Sequence, residues 1–289
     1  PAFFARTVWC LVMTDILDEL LRKIRPYELD AGAAQRAYDT AVDAICKGME
    51  EGGVRRATKE FTSAIDAFCA LRYERSVPRP RVFITGEYLL NFHPGSNFHV
   101  EEYLERNNME VMLPRMYDVF RKYTMATISE MSDFHARRPL AEAAGALIGN
   151  KLFDVALNLL EKTALRHPLY KPCTRLPELA AMSDPIMHHS FNSGETYLIP
   201  ADILHHAREG VRLFLILQPF GCLPNHICGR GVIKRLKELH PDIQVLPLDY
   251  DPDTSFANIE NRLQMLIMNA RTPPQAVSAH VNGVAVPTA

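Results

Sequence analysis

Several common signatures are missing from this sequence. No Walker A motif, GxSxG elbow, HExxH pair or GxGxxG fingerprint occurs among its 289 residues, so P-loop, serine-hydrolase, zincin and dinucleotide-fold chemistry lack their usual sequence basis. Six cysteines form no CxxC pair, and their spacing is unlike a secreted disulfide framework; the compartment reads as reducing and cytoplasmic. Neither sign of charge dominates: 32 Lys and Arg meet 34 Asp and Glu, so nothing draws the chain to nucleic acid. The longest apolar runs are far short of a membrane span, and no membrane partner is expected. Residues 1–13 are hydrophobic, but Arg6 interrupts them and no small-residue cleavage site follows. There is no internal repeat. The chain opens on Pro1 rather than Met and reads as a fragment of a longer protein.

What is present is a substantial core. Hydrophobic residues make up 47% of the chain, enough for two modest domains or one domain with a helical annex. Residues 1–76 read as that annex, with helices over Thr14 to Leu21, Gly32 to Met49 and Val54 to Arg75, the last two separated by Gly52-Gly53. A proline linker, 76–80, leads into an α/β domain over 77–270. Its strands are expected at 81–85, 110–113, 213–217 and 243–248, with a helical insertion at about 115–167. Residues 271–289 lack periodicity and read as a loose tail. The expected fold is thus an open, mostly parallel α/β sheet with an N-terminal helical annex and a helical insertion.

The chain is organised around LFLILQPFGCLPNHICGRG, Leu213 to Gly231. An unbroken apolar run reads as a strand buried on both faces, and Cys222 sits in the break before the next helix. Ligands bind beyond the carboxyl ends of parallel strands, and helix N-terminal amides favour a thiolate there. A cluster ligand, a reactive thiol and an inert buried cysteine all fit this position. His226, four residues on, is a candidate acid or base, or a partner of a loop carbonyl. Cys228 reads as core filler, as do Cys10, Cys46 and Cys69 in the annex helices. Cys173, in a proline-flanked loop, is the remaining cysteine that can reach toward Cys222 as a weak metal candidate.

Two further loops arrive at the same sheet edge. The first offers Glu87 and His93 as candidate catalytic groups, with Asn97 as a helix cap. The second carries Asp249 and Asp251, either a metal pair or turn chemistry before a helix. The pairs His188-His189 and His205-His206 diverge by about 100° on a helix, so neither is assigned one metal.

QPFGCLPNH, followed by GRGVIKRLKELHP and LPLDYDPDTS, resembles the C-terminal region of the acyl-CoA dehydratase activase-related family, relatives of the 2-hydroxyglutaryl-CoA dehydratase system. The resemblance continues in RVFITGEYLLNFHPGSN, GETYLIPADILHHAREGV and DELLRKIRPYEL, from about Trp9 to about Asn269; Glu195 falls in its GE motif. It implies an iron–sulfur cluster of the 4Fe-4S type with Cys222 as one ligand. It also implies low-potential electron transfer to radical acyl-CoA chemistry in anaerobic metabolism. Such a cluster needs three or four thiolates, so the others are expected from an upstream region or partner subunit. An ATP-dependent activase module and an acyl-CoA are the further partners implied. The competing readings are a cluster-free structural or subunit-contact module and a hydrolase using a Cys222–His226 pair.

Overall fold

A computed structural model describes residues 2–253 and 255–271, so the expected tail falls almost wholly outside the described residues. Four strands, β1 (Arg81–Gly86), β2 (Glu110–Met112), β3 (Leu213–Pro219) and β4 (Gln244–Tyr250), form one all-parallel sheet in the order β2-β1-β3-β4. The expected α/β architecture is therefore observed, with every pairing parallel.

Both faces of the sheet are covered, which is why β1 and β3 read as continuous apolar runs rather than alternating ones. Val82, Ile84, Leu213, Leu215 and Leu217 face one layer, built from α4 (Val100–Arg106) and α10 (Phe256–Arg271). Phe83, Phe214 and Ile216 face the other, built from α8 (Leu198–Arg208) and α9 (Ile233–Leu239). The period-2 alternation of a strand thus divides one apolar run between two cores.

The helical residues form a third core. Helix α1 (Ala2–Ile24) runs well beyond the expected Thr14–Leu21, because Val8, Trp9 and Val12 continue its buried stripe. The two helices expected on either side of Gly52-Gly53 are present and meet end to end over Ala33–Cys69, taken together as α2; Gly53, at φ 64° and ψ -158°, breaks the helical path between them. The insertion supplies α5 (Met116–Asp133) and α6 (Leu140–Ala164), and Tyr117, Phe153, Leu157 and Leu160 pack into the same core as α1 and α2. Residues 2–69 and the insertion, distant in sequence, therefore share one helical body. By length and composition α6 is the one described helix apolar enough to cross a membrane, but it carries Lys151 and Asp154 and buries its inner face in this core.

Ionic contacts fasten the helical body to the sheet. Tyr27 donates to the buried Glu110 of β2 at 2.8 Å, and Arg75 reaches the same carboxylate at 2.6 Å. Arg25 joins Glu105 of α4 at 2.8 Å and also pairs with Glu101.

Candidate functional site

The carboxyl ends of β1, β3 and β4 lie side by side and carry three loops. β1 ends at Gly86, whose φ of 123° and close approach to Leu217 leave no room for a Cβ. That approach lets the Glu87 N–H donate to the Leu217 carbonyl at 2.8 Å. The Glu87 side chain turns back to accept from the Leu90 N–H at 2.9 Å, capping a short helix, α3 (Tyr88–Phe92), in what the sequence presented as irregular loop. His93 caps the turn beyond it and is exposed, its Nδ1 2.9 Å from Ser96 Oγ. Asn97 accepts from the Val100 N–H at 3.3 Å, as expected of a cap.

At the end of β3 the chain turns through Gly221, and the Cys222 N–H donates to the Pro219 carbonyl at 3.1 Å. Leu223 and Pro224 open a helical segment, the His226 N–H donating to the Cys222 carbonyl at 2.9 Å, and it continues as a five-residue π-helical turn, Asn225–Gly229, a 3-10 turn and then α9. A helical N-terminus therefore follows Cys222 directly, as expected from the sequence, although the segment passes through π and 3-10 geometry before α9. The donor to Cys222 Sγ is the side-chain amide of Asn225, at 3.2 Å. Asn225 is fully buried, and the same amide donates to Glu195 Oε2 at 3.1 Å. Burial raises the Glu195 carboxyl above its ordinary range, and the nearby Glu87 carboxylate adds to the effect.

The loop that carries Glu195 is braced by Lys122. This buried lysine of α5 donates to the carbonyls of Asn192, at 2.7 Å, and Gly194. Burial pushes its ammonium down to about 8, against the pull of Glu195. Three backbone or side-chain oxygens around the buried ammonium thus tie the 192–196 loop to the helical body.

His226 engages neither ring nitrogen with the sulfur. Its Nδ1 donates to the Cys222 carbonyl at 2.9 Å, and its Nε2 lies 3.5 Å from Asp249 Oδ1. A Cys–His nucleophile pair is not assembled here, which removes the geometric basis of the hydrolase reading. Asp249 is the hub of the β4 loop: it also accepts from Gln218 at 2.6 Å and from Arg230 at 2.9 Å. Asp251 takes the turn role, accepting from the Asp253 N–H at 2.8 Å.

The other candidates lie elsewhere. Cys173 belongs to the helical core, with its thiol pushed up to about 11 by burial and Arg175 3.7 Å from its sulfur. Cys228 is buried beneath the π-helical turn. Of the six cysteines, only Cys222 is presented at this edge. Around it Phe220, Leu223 and Ile227 expose their side chains, an apolar rim on a loop. Sequence reasoning passed over Asn225, Gln218, Arg230 and Lys122. The first two sit inside the QPFGCLPNH string, three and four residues from the cysteine, and that adjacency was the available signal. Nothing local marks Lys122, which arrives from the insertion.

Comparisons with protein-family models, curated proteins and solved structures find no match to this chain.

Proposed function

We propose that this chain is the C-terminal part of an iron–sulfur redox protein related to 2-hydroxyacyl-CoA dehydratase components and their activases. It works in the cytoplasm, and Cys222 is one ligand of its cluster. The observation that carries the reading is the Asn225 amide 3.2 Å from Cys222 Sγ at the carboxyl edge of a parallel sheet. A donor on sulfur stabilises thiolate and, on a cluster ligand, sets reduction potential. When bound, such a cluster supplies a low-potential one-electron carrier for radical acyl-CoA chemistry. The residues of this chain hold and tune one corner of it. Asn225 fixes the sulfur and is itself fixed by Glu195, whose loop Lys122 ties down. Hydrogen bonds to Asp249 from Gln218 and Arg230 hold the neighbouring loop, and His226 adds a third contact.

One cysteine is one ligand, so the remaining thiolates come from an upstream region or a partner subunit. The exposed Phe220, Leu223 and Ile227 suit a surface closed by another polypeptide. The same rim favours a second reading, a cluster-free subunit-contact module. Anaerobic reconstitution with iron and sulfide, in the presence of the candidate partner or upstream segment, separates the two. Brown protein with iron that is lost in Cys222→Ala supports the redox reading. Stable association without iron supports the contact module.

A further inference from the structure

A spacious cleft lies near the amino end of β3, away from Cys222 at its carboxyl end. It measures about 680 Å³, between α1, β2, the 168–174 loop and the last turn of α8. His205, His206 and Glu209 line its mouth. These residues precede β3, whereas Cys222 follows it. The seven-residue strand between them sets the two places about 20 Å apart, at ~3.3 Å per residue.

Adjacent histidines on a helix point about 100° apart, yet these two converge because they use different ring nitrogens. His205 reaches back with its outer Nε2, and His206 turns its inner Nδ1 to the same place. Glu209 Oε2 stands 3.0 Å from His206 Nδ1 and 3.9 Å from His205 Nε2. All three donor atoms lie within 4.8 Å of one another. Metal–ligand bonds of about 2.1 Å in a tetrahedron put ligands about 3.4 Å apart, and the two measured separations bracket that edge. Thr174 Oγ1 is 3.3 Å from His205 Nε2, a fourth oxygen at the same spacing.

The His206 ring packs on Phe83 at 4.2 Å between centroids, and Arg81 donates to the Glu209 carbonyl at 2.8 Å, so both ligand-bearing positions are braced by β1.

We propose that His205, His206 and Glu209 form a binding site for one divalent transition metal of the zinc class, separate from the Cys222 edge and open toward the cleft. Two imidazoles and one carboxylate favour zinc over the all-oxygen coordination of magnesium or calcium. Three protein ligands leave the fourth position to the Thr174 hydroxyl or to a cleft-borne ligand, the pattern of a working rather than a purely structural zinc site.

The test is zinc titration of the chelator-stripped 289-residue chain in competition with a chromophoric chelator. One zinc per chain is expected, weakened about tenfold or more in His205→Ala and in Glu209→Gln. Glu209 is half-exposed and its amide replacement preserves shape, so that variant keeps the fold, checked by circular dichroism. His188→Ala removes a ligand from the other group of metal-ligating residues, Asp133, His188 and His189, and Cys222→Ala removes the half-buried thiol of the sheet edge; both are expected to keep the zinc. No zinc uptake at micromolar concentration, or uptake indifferent to His205→Ala and Glu209→Gln, overturns the proposal. So does loss of the zinc in His188→Ala or Cys222→Ala with retention in Glu209→Gln.

Discussion

Asn225 Nδ2 stands 3.2 Å from Cys222 Sγ, and the same nitrogen is 3.1 Å from Glu195. The asparagine therefore links the one presented cysteine to a buried carboxyl. Removing the donor removes stabilisation of the sulfur anion, the form that reacts and ligates. Asn225→Leu is expected to slow alkylation of Cys222 at neutral pH about threefold or more, since a hydrogen bond to a charged group is worth roughly 1.5 kcal/mol or more. Peptide mass spectrometry separates Cys222 from the exposed Cys46 and Cys69. An unchanged rate in a folded variant contradicts the role given to the amide.

The sheet edge depends on one glycine. A Cβ at residue 86 collides with the Leu217 backbone, and its φ of 123° disfavours any side chain. Gly86→Ala is expected to cost about 3 kcal/mol or more of unfolding free energy, because the obstacle is backbone and cannot swing aside. Chemical denaturation measures it. A loss below about 1 kcal/mol would mean β1 and β3 separate easily here.

Most of the α/β half was legible in the sequence, and the site only in part. Val82, Ile84 and Leu213 to Leu217 announce strands because both sheet faces are buried, and each expected strand lies within two residues of the observed one at either end. The helical half was less clear. Gly52-Gly53 reads as a break and Gly53 is one, but the helices on either side run on without a loop and both pack on α1. Local sequence also carries no record of which helices share a core, so the union of α1 and α2 with the insertion was hidden. At the site, the cysteine and the convergence of the three loops followed from parallel topology. The Asn225 and Lys122 contacts depend on a π-helical turn and on a helix 70 residues away from the loop it braces.

Lys122 gives a test of that bracing. Lys122→Met keeps the length and apolar stem but removes the ammonium that holds the Asn192 and Gly194 carbonyls. Amide hydrogen exchange in residues 188–196 is expected to rise about tenfold or more, with α6 unchanged. In the wild-type chain the lowered lysine pKa reflects a cost of burying the charge that is fully present below about 8, so overall stability rises as pH increases from about 8 toward the unfolded value while the ammonium is lost. Uniform exchange across both variants would sever the loop from α5.

Asp15 supplies a second pH signature. Burial, partly offset by the Tyr117 N–H, pushes its carboxyl up to about 8. The folded state then binds the proton more tightly than the unfolded chain, so stability falls as pH rises from the unfolded aspartate value toward 8. Asp15→Asn is expected to flatten the unfolding free energy between pH 5 and 8, by about 1 kcal/mol per pH unit where the two states differ by nearly one proton. An equally steep curve in the variant would assign the pH dependence to another group.

The central claim is that Cys222 ligates a cluster completed from outside this chain. Its most direct test is iron and sulfide content after anaerobic reconstitution of two proteins, this chain alone and a version extended through the sequence encoded upstream, each with and without Cys222→Ala. The account predicts little iron in the short chain, a full cluster in the extended protein, and loss of that cluster in extended Cys222→Ala. Stoichiometric iron in the short chain, or full occupancy in the extended Cys222→Ala protein, would contradict it.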